Sequence, residues 1–265
     1  MNSFWIEGVG IFGPGLANWA QAVEVFSGRA AYTPVDVPKL APALLPADVR
    51  RRTTEHIRLA VEVGAEAVRQ AEVDAGALRS VFASSESDGA ITHNICEEVA
   101  RDKPEVSPTR FHNSVNNAAA GYWCMAVQSR APSTSVAGFD ASFGVGLVEA
   151  VVQVLGENER VLLIAHDTLM PEPLNTVRPM SAIFGCALVL APQPGAHSIA
   201  RVTLSVDPTL VAPSRLGVAA LDGLRTTNPA ARALPLLSAI ACRSGGDLVL
   251  PYVYAQSLRL HMEMA

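Results

Sequence analysis

Sulfur and imidazole are the side chains that most readily do chemistry near neutral pH, and in these 265 residues both are sparse and scattered. The cysteines Cys96, Cys124, Cys186 and Cys242 form no C-x-x-C pair. That argues against a disulfide framework or a zinc site and for a reducing, cytoplasmic compartment. The histidines His56, His93, His112, His166, His197 and His261 lack H-x-x-x-H spacing, so no metal is expected. Gly8-Val9-Gly10-Ile11-Phe12-Gly13 matches G-x-G-x-x-G. A dinucleotide site needs a helix starting inside that loop and an acidic residue about 20 positions on. Pro14-Gly15 and then Gly28 to Pro34 stand there instead, so the motif reads as a glycine-rich turn and no cofactor is expected. No Walker A sequence and no G-x-S-x-G elbow occurs. His166-Asp167 closes an apolar run, where ligands border parallel sheets but where a polar cap on a strand is equally in place.

The elements that must position these groups alternate in the manner of an α/β domain. Strands are expected at Phe4 to Ile11, Leu78 to Ser84, Ser133 to Ala137, Arg160 to His166 and Ala182 to Ala191. Helices are expected at Ala17 to Phe26, Thr54 to Ala71, Ile91 to Ala100, Asn117 to Ser129 and Ser142 to Leu155. The second is the clearest, with Ile57, Ala60, Val61, Gly64, Ala65 and Val68 on one face. Residues 30–48 carry Pro34, Pro38, Pro42 and Pro46 and read as an extended loop. The strand, helix and strand of residues 133–166 form a βαβ unit with parallel strands and a right-handed crossover. Past Pro192 come a strand from Ile199 to Val206, a helix from Asn228-Pro229 to Cys242 and a strand from Leu248 to Tyr254 broken by Pro251. Leu258, Leu260, Met262 and Met264 then alternate with polar residues, as in a terminal strand with one wet face.

Composition narrows the class. The chain is 49% hydrophobic and 17% charged, enough apolar surface for a packed core. Its net charge of −5 argues against nucleic acid as a partner. No run of eighteen or more uncharged apolar residues and no basic, cleavable leader is visible, so no membrane span and no signal peptide are expected. An apolar, weakly charged chain fits one that covers part of its surface with a partner.

Asn117-Ala118-Ala119-Ala120-Gly121, then Ala131-Pro132-Ser133, then Val136-Ala137-Gly138-Phe139-Asp140-Ala141-Ser142 resembles the β-ketoacyl synthases of the thiolase superfamily. In that family an N-x-A-A-G helix is followed by G-P-S, a strand, and the nucleophile elbow T-A-C-x-S/T that opens a long helix. Ile6-Glu7-Gly8-Val9-Gly10 resembles the first strand and turn, and Arg50-Arg51-Arg52 leads into the expected helix. Arg178-Pro179-Met180 before Gly185 to Leu190 resembles the R-P-F…G-A run. The likeness spans about residues 4–192 of one domain over residues 1–265, with 193–265 a shortened C-terminal remnant. The fold it implies is the N-terminal ketosynthase half, a mixed β-sheet layered with helices, with a reduced C-terminal half.

Two departures shape the expected function. An ungapped count puts Asp140 where the family has its nucleophilic cysteine, and a one-residue slip puts Phe139 there. Neither forms a thioester. The two catalytic histidines of the family, in H-G-T and in a glycine-rich setting, find no counterpart. The resemblance therefore implies a non-catalytic subunit of the chain length factor type, paired with a complete β-ketoacyl synthase and bounding its acyl tunnel in polyketide or aryl polyene pathways. Tunnel or interface candidates carried over are Thr109, Arg110, Phe111 and His112, with Ser85 to Asp88 nearby. Asn113, Asn116 and Asn117 either cap the small-residue helix or bond across the interface. Tyr122, Phe139 and Phe143 either floor the tunnel or belong to the core. Arg50, Arg51, Arg52 and Arg58 are candidates for docking an acyl carrier protein, or a solvated helix start. Asp140 reads first as a helix N-cap. Two other functions stay open: an acyl-thioester decarboxylase or hydrolase with Asp140 as base, aided by His112 or His166, and a homodimeric acyl-binding module.

Overall fold

The computed structural model describes residues 2–35 and 37–265. In chain order the strands are β1 (Asn2–Phe12), β2 (Arg79–Ala83), β3 (Ser133–Val136), β4 (Val161–Asp167), β5 (Phe184–Ala191), β6 (Ala200–Asp207), β7 (Gly246–Pro251) and β8 (Ser257–Met264). The helices are α1 (Trp19–Phe26), α2 (Ala47–Arg50), α3 (Glu55–Ala71), α4 (Gly89–Val99), α5 (Pro108–Asn113), α6 (Ala118–Ala126), α7 (Ser142–Glu157), α8 (Leu174–Val177), α9 (Ala219–Thr227) and α10 (Leu234–Ala241). One eight-stranded mixed sheet runs β3-β2-β4-β5-β1-β6-β8-β7.

Alternate residues of its inner strands go to opposite faces. Val81, Leu163 and Leu188 join the side packed by α7 and α10, whereas Phe82, Leu162 and Val189 join the side packed by α3 and α6. Both faces being covered, β4 and β5 are buried along their whole length and read as continuous apolar runs. On β6 and β8 only one face is covered, so buried Val202, Leu258 and Leu260 alternate with exposed Arg201, Arg259 and His261.

The strands at 133–136 and 161–167 are parallel as expected, each pairing with β2, but β2 lies between them. The glycine motif is a correction. Gly8 and Gly10 lie inside β1, not in a turn. A Cβ at Gly8 would sit 2.1 Å from the Ala67 carbonyl oxygen, and one at Gly10 would sit 2.0 Å from that of Val63. Their absence lets α3 press its backbone onto the strand. Thr54 caps α3 by accepting from the Ile57 amide, and Glu72 ends it with a left-handed φ of 52°. Glu66 holds α3 against its neighbours by accepting from the amides of Ile11 at 2.9 Å and Trp19 at 2.7 Å. The buried face of α3 is wider than the expected stripe, adding His56, Leu59, Val63, Ala67 and Ala71, because the helix touches both the sheet and α6.

Three short helices, α2, α5 and α8, and the longer α9 fall where no helix was expected. The strand expected to reach Tyr254 stops at Pro251 and gives way to a turn in which Tyr254 and Ala255 have φ of 53° and 58°. Phe139–Glu157 is 19 residues long and apolar enough to cross a bilayer by length and composition; half of it is buried within the fold.

Candidate functional site

Three parallel strands, β3, β2 and β4, end at one edge of the sheet, and their carboxyl ends bring together the groups of greatest chemical interest. After β3 the chain turns sharply through Gly138 and Phe139 into α7. Phe139 takes a φ of 54°, a left-handed conformation that a bulky residue adopts only under constraint. Ser142 supplies part of it: its hydroxyl donates to the Phe139 carbonyl at 2.7 Å and accepts from the Gly138 amide at 3.0 Å. Arg178 supplies the rest. Its guanidinium lies 3.7 Å from the centre of the Phe139 ring. It donates to Asp140 Oδ1 at 2.6 Å, Ser85 Oγ at 2.7 Å and Glu86 Oε1 at 3.0 Å.

The helix-cap reading of Asp140 is thereby corrected. No side chain caps the turn or α7, and the carboxylate faces Arg178 instead, with Arg232 at 3.9 Å on its other oxygen. Burial pulls the Arg232 pKa down; the Asp140 carboxylate opposes this, and Arg225 and Arg178 add to it. The Arg232 Nε has no hydrogen-bond partner.

Asp167, at the end of β4, is buried and closes the site from beneath. It accepts from the Ser84 hydroxyl at 3.0 Å, the Ser85 amide at 2.8 Å and the Ala230 amide at 3.0 Å. Burial pushes its carboxyl up to about 7 against those three donors. Asp167 is thus a polar clip between strand ends and the segment before α10. His166, beside it, packs its ring against His56 of α3, the centroids 4.2 Å apart and the planes tilted by 48°. Burial lowers His56 to about 4, with the Asp88 charge acting the other way, and holds His166 well below its ordinary value. Neither Nδ1 has a partner.

The remaining candidates fall into four places. Phe111 and His112 on α5 meet Asn117 and Tyr122 at a cleft of about 570 Å³, with Tyr122 buried and its ring edge-on to His112 at 6.3 Å. Phe111 is 65% exposed and Met125, across the cleft, 60%. Thr109 and Arg110 lie exposed on the same helix. Asn113 is buried and donates to the Arg52 carbonyl at 2.8 Å, and Asn117 stands at the start of α6 without capping it. Phe143 takes the second of its two readings: it is fully buried in the core between the sheet and α7. Phe139 lies at the elbow, 61% exposed. Arg50, Arg51 and Arg58 line a separate cavity beside α2, and Arg52 is exposed.

The sequence reading placed Glu86 only near the tunnel candidates, gave Arg178 no role and missed Arg232. They arrive from segments more than forty residues apart, and no local spacing marks them. No group of three metal-ligating side chains converges among the described residues.

Residues 18–218 match the model of the β-ketoacyl synthase N-terminal domain. No curated protein matches the chain significantly in sequence. Among solved structures, a chain of the ketosynthase ApeO in complex with its chain length factor ApeC from Xenorhabdus doucetiae aligns with a TM-score of 0.74. The identity is 20%, over 98% of this chain and 99% of that one. A chain of the ishigamide ketosynthase/chain length factor aligns at 0.73 with 14% identity over 99% of each. One from AntDE:AntF, a type II acyl-carrier protein in complex with its ketosynthase, gives 0.75 and 10%, again over 99% of each. At these identities the likeness is one of fold.

Proposed function

The chain belongs to the β-ketoacyl synthase N-terminal domain family, and from that premise we propose that it is a non-catalytic, chain length factor-like subunit. It pairs with a complete β-ketoacyl synthase and bounds the acyl tunnel of that partner in polyketide or aryl polyene assembly. The observation that carries this reading is the elbow. The left-handed position of the elbow is filled by Phe139, which has no nucleophilic group. The next residue, Asp140, is engaged by a guanidinium at 2.6 Å. The cysteines lie elsewhere: Cys124 on α6, Cys186 buried within β5, Cys96 and Cys242 exposed. Burial raises the Cys186 thiol away from the thiolate form that condensation requires.

The surface supports a partner. β3 ends the sheet with no further strand on it among the described residues, and the cleft with Phe111 and Met125 lies against neighbouring α6. An open edge and exposed apolar side chains are features a second subunit covers. Thr109, Arg110, His112, Asn113, Asn117 and Tyr122 would then contribute to or support that contact. The exposed faces of Arg50, Arg51, Arg52 and Arg58 would help draw an acidic carrier protein to the assembled pair, in a cytoplasmic setting.

Co-expression with a complete ketosynthase tests the reading: a stable one-to-one complex supports it. A stable monomer that turns over acyl thioesters, and loses this with Asp140→Asn, would establish the decarboxylase or hydrolase reading instead. The Arg178 contact on Asp140 disfavours that outcome, since the carboxylate oxygen that would take a proton already accepts from a guanidinium. An inactive homodimer that binds acyl chains would establish the third reading.

A further inference from the structure

The loop before α3 builds a second concave site. Lys39, Arg50, Arg51 and Arg58 line one cavity of about 460 Å³, with Leu40, Ala41 and Ala47 as its apolar wall and the Thr53 residue beside them. No carboxylate lines it among the described residues, although the chain as a whole carries a net charge of −5. Asp48 and Glu55, close in sequence to Arg50 and Arg58, are exposed and do not line it. Two of the arginines are fixed by backbone rather than by ion pairs. Arg50 Nη1 reaches the carbonyls of Ala41, Pro42 and Leu45 at 3.3–3.5 Å, and Arg58 Nε donates to the Thr54 carbonyl at 3.1 Å. None of the four cations forms a salt bridge with a described carboxylate. Positive charges lining one cavity repel one another, and an oligo-anion inside it would relieve that repulsion. Planar guanidiniums favour phosphoryl oxygens, which they bind in pairs, and held arginines lose little freedom on binding. The volume lies in the range of about 300–1,000 Å³ usual for small-molecule sites.

We propose that this cavity binds an organic phosphate ester of the nucleoside diphosphate class, its phosphoryl groups among Lys39, Arg50, Arg51 and Arg58 and its organic part against Leu40, Ala41 and Ala47. The site shares Arg50, Arg51 and Arg58 with the proposed carrier-protein surface but is independent of pairing itself: a chain that pairs with a ketosynthase but binds no phosphate would keep the pairing and lose this site. Calorimetric titration of the full chain at low salt with ADP, inorganic pyrophosphate and adenosine tests it. ADP and pyrophosphate bind and adenosine does not. The exposed double substitution Lys39→Glu with Arg51→Glu weakens ADP at least tenfold while leaving the melting temperature within the spread of the wild type. Should that pair impair folding, Arg58→Gln alone is expected to weaken ADP severalfold. Failure of both phosphates to bind at millimolar concentration overturns the proposal. So does adenosine binding as tightly as ADP, or pyrophosphate affinity unchanged in folded variants.

Discussion

Arg178 concentrates the local order of the elbow in one side chain. It spans Ser85 and Glu86 after β2, Phe139 and Asp140 after β3, and is itself only 16% exposed. Arg178→Ala is expected to cost about 1–3 kcal/mol by urea denaturation, since it strands partly buried acceptors. Arg178→Lys should recover little, because an ammonium cannot donate in three directions from a plane. A loss below about 0.5 kcal/mol, the range of ordinary surface changes, would contradict this. The buried His56 gives a pH prediction with a definite sign. Its folded pKa of about 4 lies below the ordinary 6.5, so the unfolded chain takes up the proton first on acidification. The stability that neutral His56 contributes is therefore whole above pH 6.5 and is lost as pH falls toward 4. Asp167, raised from 3.8 to about 7, acts oppositely, contributing below 3.8 and losing its share as pH rises through 7. His56→Gln should flatten the acid limb, seen as urea midpoints that fall less between pH 7 and pH 5 than those of the wild type. Parallel curves would mean that His56 is not held neutral inside the fold.

At the scale of elements, two glycines make opposite predictions. Gly10→Ala drives a methyl against the Val63 carbonyl, so α3 must shift from β1, at about 1–3 kcal/mol or more. Gly121→Ala on α6 meets nothing within 4 Å and should stabilise the isolated chain by about 0.5–1 kcal/mol. If a partner subunit approaches that helix closely, the same change should weaken co-purification, separating folding from pairing. These two residues also mark what was legible beforehand. The amphipathic α3 follows from periodicity, because a helix buries one face by a rule that the sequence itself displays, whereas the small-residue α6 follows from its run of alanines. The role of Gly8 and Gly10 did not follow, because the glycines answer a close approach from a helix some fifty residues on. The elbow's place between β3 and α7 was readable from residue order. The meeting of Arg178, Glu86 and Arg232 there was not, being assembled by the sheet from distant segments. α9 escaped for another reason: Gly223 interrupts it, and its apolar face is only Leu221 and Leu224.

Taken whole, the sheet has unlike ends. Beyond β7, the loop through Ser214 runs along the strand, its amide donating to the Val249 carbonyl at 2.9 Å and its hydroxyl accepting from the Val249 amide at 3.0 Å. That screens one edge while β3 stays bare at the other. Between them, β1 divides its length: Asn2 to Ile6 pairs with β6, and Trp5 to Phe12 pairs with β5. The last three strands therefore hang on the first residues of the chain. Amide exchange should report this as one shared protection level for Phe4, Val202 and Leu260, and clipping the first six residues should release all three strands together. Processing that removes these residues is thus not a remote change: it takes away the only strand through which β6, β8 and β7 join the rest of the sheet among the described residues.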